Sequence, residues 1–346
     1  METWSEVDLL DEMVHIPSPS GAEEELSAFL EEVMRGRGLR SWRDEVGNVF
    51  GSTGTGDGPT VLLLGHLDTV DDPIPAARTD TRVVGRGAVD AKGPLAAMIG
   101  AATRYQDFPG RLVVAGVVEE ETPASRGAMH VRKTWPKPDA LVIGEPSGWD
   151  TVVLGYKGKI DVRYDVYCPP THPSNPAPKA TELAADFWQS ARAAAGDEPS
   201  HASFDHTGVT LAEVHGDLSR ASMSISYRTP LGFDTQALLE RLHAAAGQGR
   251  VELLNAVAAV RTDRRDPVVR ALTGAIRGAG GTPRHKIKTA TSDMNTLAEV
   301  WPIPMATYGP GDSRLDHSDQ EAIPHEDLRR GVRVLCAALR QLEELR

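Results

Sequence analysis

The chain reads as an α/β protein: a mixed, mostly parallel sheet interrupted by a smaller inserted α+β unit. Three observations predict this. Apolar runs of strand length alternate with helical periodicity through roughly the first 150 residues. Near Thr151 that rhythm gives way to strict apolar–polar alternation, and at Asp266 it resumes. A length of 346 residues also exceeds one ordinary core. The expected division is a discontinuous domain of residues 1–154 and 266–346, with residues 155–265 inserted.

Gly21–Arg35 places Leu26, Phe29, Leu30 and Val33 on one helical side. Thr60–Gly65 is a continuous apolar run closed by glycine, the pattern of a strand buried on both faces. Lys92–Tyr105 is alanine-rich and helical, and Arg111–Val118 and Asp139–Ile143 are two further buried strands. Strands alternating with helices imply parallel pairing with helices on both faces of the sheet. In the inserted stretch, Lys159–Val166 alternates apolar and polar residues, as a strand with one wet face does. A proline-rich turn, Pro169–Pro178, leads to a helix reaching about Ala195. Thr207–His215 and Ala221–Arg228 are expected as neighbouring antiparallel strands, Asp234–Ala246 as a helix and Val251–Arg261 as a last strand.

Composition narrows the function. No apolar run reaches the roughly 20 residues that span a bilayer. The stretch Met1–Glu6 is acidic and lacks the basic and apolar parts of a signal peptide, so the cytoplasm is the expected location. Net charge is −12 and the isoelectric point about 5.4, which argues against nucleic acid or an anionic membrane as the main partner. Basic groups cluster locally at Lys157 and Lys159 and at Arg284, Lys286 and Lys288. The two cysteines, Cys168 and Cys336, are too few for a disulfide framework or a sulfur-rich metal site and are expected as packing residues.

Polar residues stand at the ends of the predicted parallel strands, the edge at which α/β sheets bind ligands. His66-Leu-Asp68 follows Thr60–Gly65. In extended chain these two side chains point the same way, so Asp68 can support the His66 ring. A structural pair would look the same. Asp90 lies in a glycine-rich run just before a helix, where an N-cap is the commoner role. That run lacks both nucleotide-binding glycine patterns. Glu119-Glu-Glu121 ends a central strand, where three carboxylates repel one another unless a cation neutralises them. Glu145 follows another strand, and His317 sits in a loop where a surface histidine is the ordinary reading. Together they form a sulfur-free set of histidines and carboxylates suited to borderline divalent ions. Two ions about 3.5–4 Å apart could share Asp90.

These motifs, in this order, resemble the co-catalytic zinc aminoacylases and exopeptidases. That family includes acetylornithine deacetylase and succinyl-diaminopimelate desuccinylase. The resemblance covers nearly the whole chain. It implies a zinc-exopeptidase-like catalytic domain with an inserted dimerisation domain, and therefore a homodimer. It implies that Asp90 bridges two Zn2+ (Co2+ or Mn2+ being alternatives), with His66 and Glu145 on one ion and Glu121 and His317 on the other. Glu120 is then the general base and Asp68 the orienting carboxylate. The family has Asp-Glu-Glu where this chain has Glu119-Glu-Glu121, and a one-residue shift would exchange base and ligand. Thr171-His172 resembles a histidine of the inserted domain that reaches a partner's active site, and Arg228 resembles an arginine that holds the substrate carboxylate. Thr291-Ser-Asp-Met resembles a loop near the site.

Gly87–Ala97 and Thr291–Asn295 are most similar to the branch of the family that serves carrier-protein lysine and arginine biosynthesis. Its members release lysine, or ornithine, from the C-terminal glutamate γ-carboxyl of a small acidic amino-group carrier protein, LysW. The basic clusters would then meet that carrier. Hydrolysis of free acetylornithine or succinyl-diaminopimelate, or of dipeptides, would use the same motifs. A binding module that kept the fold without activity is the non-enzymatic alternative.

Overall fold

The computed structural model describes residues 5–196 and 199–345; the extreme ends of the expected first domain, 1–4 and 346, lie outside them. The chain divides into two compact units. One is Met1–Gly155 with Thr262–Lys286 and Ser292–Arg346; the other is Tyr156–Arg261 with Ile287–Thr291. The short segment Ile287–Thr291 thus groups with the second unit, although the sequence reading put all of 266–346 in the first.

The sheet of the first unit runs Arg40–Arg43, Val49–Thr53, Arg111–Val117, Thr60–His66, Ala140–Gly144, Met305–Thr307 and Thr151–Tyr156. The four central members pair in parallel, and the outer ones are antiparallel. Thr60–His66 has a parallel partner on each side, and Val61, Leu62, Leu63 and Leu64 are at most 1% exposed. That is why its sequence is an unbroken apolar run. The helix Lys92–Arg104 packs on Thr60–His66 and on the long C-terminal helix His325–Leu342. It is buried from Lys92 through Ala102, and its small residues permit that close packing.

An unforeseen helix, Glu6–His15, opens the described chain. The Ser5 hydroxyl accepts from the Asp8 amide, and the Asp8 carboxylate accepts from the Ser5 amide, a reciprocal cap. The expected Gly21–Arg35 helix is Glu24–Gly36, with Leu26, Leu30 and Met34 turned inward. Among the described residues no helix is long and apolar enough to cross a membrane.

The second unit is a four-stranded antiparallel sheet in the order Gly208–Gly216, Arg220–Thr229, Gly158–Tyr167 and Arg250–Val257. Alternate residues Ile160, Val162, Tyr164 and Val166 enter its core with Met223, Ile225 and Tyr227. The helices Ala180–Ala194 and Thr235–Ala245 pack against each other in this unit. The Phe187 ring stacks on Tyr164 with centroids 3.9 Å apart. The single strand expected over Val251–Arg261 is broken. Its register shifts between Leu253 and Asn255, and a separate pair of residues, Val260–Arg261, follows.

Candidate metal centre

His66 is the last residue of its strand and is 1% exposed. Its Nδ1 donates to the Asp68 carbonyl at 2.8 Å, while the nearest Asp68 carboxylate oxygen is 3.5 Å away. The main chain therefore orients the ring more closely than the carboxylate does. The Asp68 carboxylate instead accepts from the Glu120 amide (2.9 Å), the Glu121 amide (3.0 Å) and the Ser20 hydroxyl (2.7 Å). Burial alone would raise its pKa; His66 and these donors outweigh burial and hold it below the usual carboxylate value. Glu119 turns the chain ahead of that pair with φ at 56°, in the left-handed region.

Asp90 does not cap the helix that follows. Ala91 occupies the N-cap position without a side-chain bond, and the Asp90–Ala91 peptide is cis. Gly93 is required close by, because a Cβ there would meet the Ala88 carbonyl at 2.4 Å. Freed from capping, Asp90 Oδ1 lies 3.3 Å from His66 Nε2, and Oδ2 lies 3.3 Å from His317 Nε2. Glu145 follows the strand Ala140–Gly144 and brings Oε1 to 3.7 Å from His66 Nε2. His317, at φ 58°, places Nε2 2.9 Å from Glu121 Oε1.

One atom each from His66, Glu120 and Glu145 lie mutually within 4.8 Å, and so do atoms of His66, Asp90 and Glu121. The donors are nitrogen and oxygen only, and carboxylates outnumber imidazoles, so the set suits a pair of divalent cations. The electrostatics agree. Burial lowers His66, but Asp68 and Asp90 outweigh it and raise its pKa well above normal. Asp90 and Glu121 lift His317 to about 10. Loss of water, then the charges of Glu145 and Asp293, push Glu120 well above the carboxylate range. With His66 Nδ1 bound to a carbonyl, Nε2 is the atom left for a metal.

His172 and Arg228 belong to the second unit. His172 is exposed, with Nδ1 2.7 Å from the Ser174 hydroxyl; Arg228 donates to the Thr291 hydroxyl at 2.7 Å. Lys157 does not fit the surface role the sequence suggested. It is wholly buried, its Nζ donates to the carbonyls of Ser200 and His206, and burial followed by Arg228 lowers its pKa. In the same clusters Lys159 pairs with Asp161 and Arg284 with Asp150, while Lys286 is exposed.

Two further acids were given no role by the sequence reading. Asp293 is 2% exposed, its Oδ1 has no hydrogen-bond partner among the described residues, and burial leads the push of its pKa to about 7. Glu321 is wholly buried and accepts a hydrogen bond from the Asp90 amide. Glu321 carries no local pattern that marks it, whereas Asp293 lies in the Thr291-Ser-Asp-Met run that resembles a loop near the site.

The sheet-edge cluster is a candidate divalent-metal centre, and with the family match it places the chain among the metal-dependent hydrolases of amide bonds. The chain belongs to Peptidase family M20/M25/M40, which its residues 62–341 match. It is similar to a LysW-lysine hydrolase of Deinococcus radiodurans, with 38% identity over 97% of this chain and 96% of that one. It is similar to a putative LysW-lysine/LysW-ornithine hydrolase of Thermococcus kodakarensis, with 36% identity over 97% and 92%. Among solved structures it is similar to an M20 family metallo-carboxypeptidase, Sso-CP2, of Sulfolobus solfataricus, with a TM-score of 0.82 and 17% identity over 97% and 99%.

Proposed function

We propose that this chain hydrolyses the amide joining lysine, or ornithine, to the C-terminal glutamate γ-carboxyl of the acidic carrier protein LysW. The geometry that carries the chemistry is Asp90, with one oxygen 3.3 Å from each of two imidazoles. Similarity along nearly the full length to LysW-lysine hydrolases supports the substrate. Asp90 would bridge two zinc ions, with His66 and Glu145 on one and Glu121 and His317 on the other. When bound, such a pair lowers the pKa of water toward about 7 and polarises the amide carbonyl.

The chain's own residues supply the rest. Glu120, whose side chain lies beside His66 and Glu145, would accept the proton of the attacking water and return it to the departing amine. Asp68 fixes the Glu120–Glu121 turn through two amides, which keeps base and ligand in their places. The 2.9 Å approach of Glu121 to His317 supports Glu121, rather than Glu120, as the ligand. His172 as an oxyanion donor and Arg228 as the carboxylate clamp rest on resemblance. The second unit, whose sheet order ends in the strand Gly208–Gly216, is proposed as the dimerisation domain. A cytoplasmic location fits a biosynthetic step.

The test is product release by zinc-loaded protein from carrier-linked lysine, carrier-linked ornithine, acetylornithine and succinyl-diaminopimelate. The proposal expects kcat/KM for a carrier-linked substrate about 100-fold or more above either free one, which is about 2.7 kcal/mol of discrimination. Equal or faster turnover of a free substrate overturns it.

A further inference from the structure

Glu321 lies just past His317 in the chain and is 0% exposed, yet it is an acid with no ligand role. Its Oε1 accepts from two successive main-chain amides, Val89 and Asp90, at 2.9 Å each. Its Oε2 accepts from Arg86 Nη1 at 2.9 Å. Arg86 is only 7% exposed. Its Nε donates to the Asp72 carbonyl at 2.7 Å, Nη2 to the Asp72 carboxylate at 3.1 Å, and Nη1 also to the Ser318 carbonyl at 3.3 Å. The Gly85 amide donates to the Glu321 carbonyl at 3.2 Å, and Ala322–Pro324 pairs antiparallel with Arg82–Val84. Each of these side-chain bonds of Glu321 ties the segment carrying Asp90 to the segment carrying His317.

Taking this ion pair out of water is costly, and an apolar pair could join the two segments at less expense of free energy. The carboxylate adds direction. One oxygen gripping the amides of Val89 and Asp90 fixes the peptide from which the Asp90 side chain departs, and charge-assisted bonds hold geometry more tightly than neutral ones. A carboxylate shared by two ions tolerates little rotation, because each of its oxygens must face a different ion.

We infer that Glu321, seated by Arg86, is a positioning residue for the metal pair. It locks the main chain at Asp90 to the loop that carries His317, so that both cations find their ligands already set. The inference rests on the ligand assignment proposed above.

The test is zinc titration of metal-free protein by calorimetry, together with the visible spectrum of the cobalt-loaded form, which reads coordination geometry. Glu321→Ala removes the grip on both amides and should weaken zinc binding by about 10–100-fold. Glu321→Gln keeps an acceptor for the amides but loses the charge facing Arg86, and its loss should be smaller. Arg86→Met should resemble Glu321→Ala, and Arg86→Lys should recover part of the affinity. The cobalt spectra of Glu321→Ala and Arg86→Met should differ from wild type. Circular dichroism of the metal-free forms checks the fold. Should Glu321→Ala fail to fold, the isosteric Glu321→Gln decides. Zinc affinities within about two-fold of wild type, with an unchanged cobalt spectrum, overturn the inference even if the melting temperature falls. A wild type that takes up no pair of ions overturns the ligand assignment itself, and this inference with it.

Discussion

At the scale of single residues, Glu120 and Glu121 are neighbours in sequence with different surroundings. Glu120 shares space with His66 and Glu145; Glu121 approaches His317. Glu120→Gln should therefore keep two zinc ions by metal analysis while kcat falls by about 100-fold or more. Near-normal turnover with zinc bound would reassign the base. Part of this cluster was legible because His66, the Glu119–Glu121 run and Glu145 end a buried strand or closely follow one, and buried strands announce themselves as apolar runs, whereas Asp90 before a helix and His317 in a loop were read through the resemblance. What strand position could not convey was which atom of Asp68 faces His66, since the carbonyl and the carboxylate both lie within reach. Glu321 was invisible for another reason, and Asp293 was marked only by the Thr291-Ser-Asp-Met run, without a role. Their significance comes from contacts across the chain, as in the bond of Glu321 to Asp90, and no local spacing encodes such contacts.

Among the elements, helices with a strong local signal and strands buried on both sides were readable to within about three residues. The helix Glu6–His15 was not, although its cap is encoded by Ser5 and Asp8. That cap makes a measurable prediction. The Ser5 hydroxyl, more than the Arg78 guanidinium, holds Asp8 at about 2, below its ordinary 3.8. A depressed carboxyl pKa adds stability above the unfolded value and loses it as pH falls through the folded one. Asp8→Asn should lower the melting temperature at neutral pH by about 1 °C or less, since the Asp8 side chain is 39% exposed and solvent screens it. The gap from wild type should close as pH drops from about 4 toward 2. A gap that is constant across that range would assign the effect to something other than the charge. The broken strand after Val257 shows the opposite limit. Its residues are mostly exposed, so no apolar face fixes its register, and alternation alone overran its end.

Over the whole molecule, the change from a buried-strand rhythm to a half-wet one located the insertion, because a parallel sheet covered on both faces and an antiparallel sheet covered on one leave different patterns. Net charge of −12 remained silent about the local concentration of acid around His66 and His317. That concentration predicts a strong response to chelation. Ligands that bind only the folded state at about 100 times their dissociation constant add about 2.7 kcal/mol. Stripping the metal should lower the melting temperature by several degrees, and zinc should restore it, as followed by differential scanning fluorimetry. A melting temperature indifferent to chelator would argue against a resident ion pair.

The central sheet is not drawn from one continuous stretch of chain. Met305–Thr307 pairs with both Ala140–Gly144 and Thr151–Tyr156, yet the whole of Tyr156–Arg261 is translated between them. At ribosomal speeds of about 5–20 residues per second, the nascent Ala140–Gly144 waits on the order of ten seconds for its neighbour. Through that interval a bare, apolar strand edge is presented to its surroundings and to other nascent copies. Recombinant yield should therefore respond to slower synthesis at low temperature, or to added chaperone, more than the stability of the finished protein would suggest.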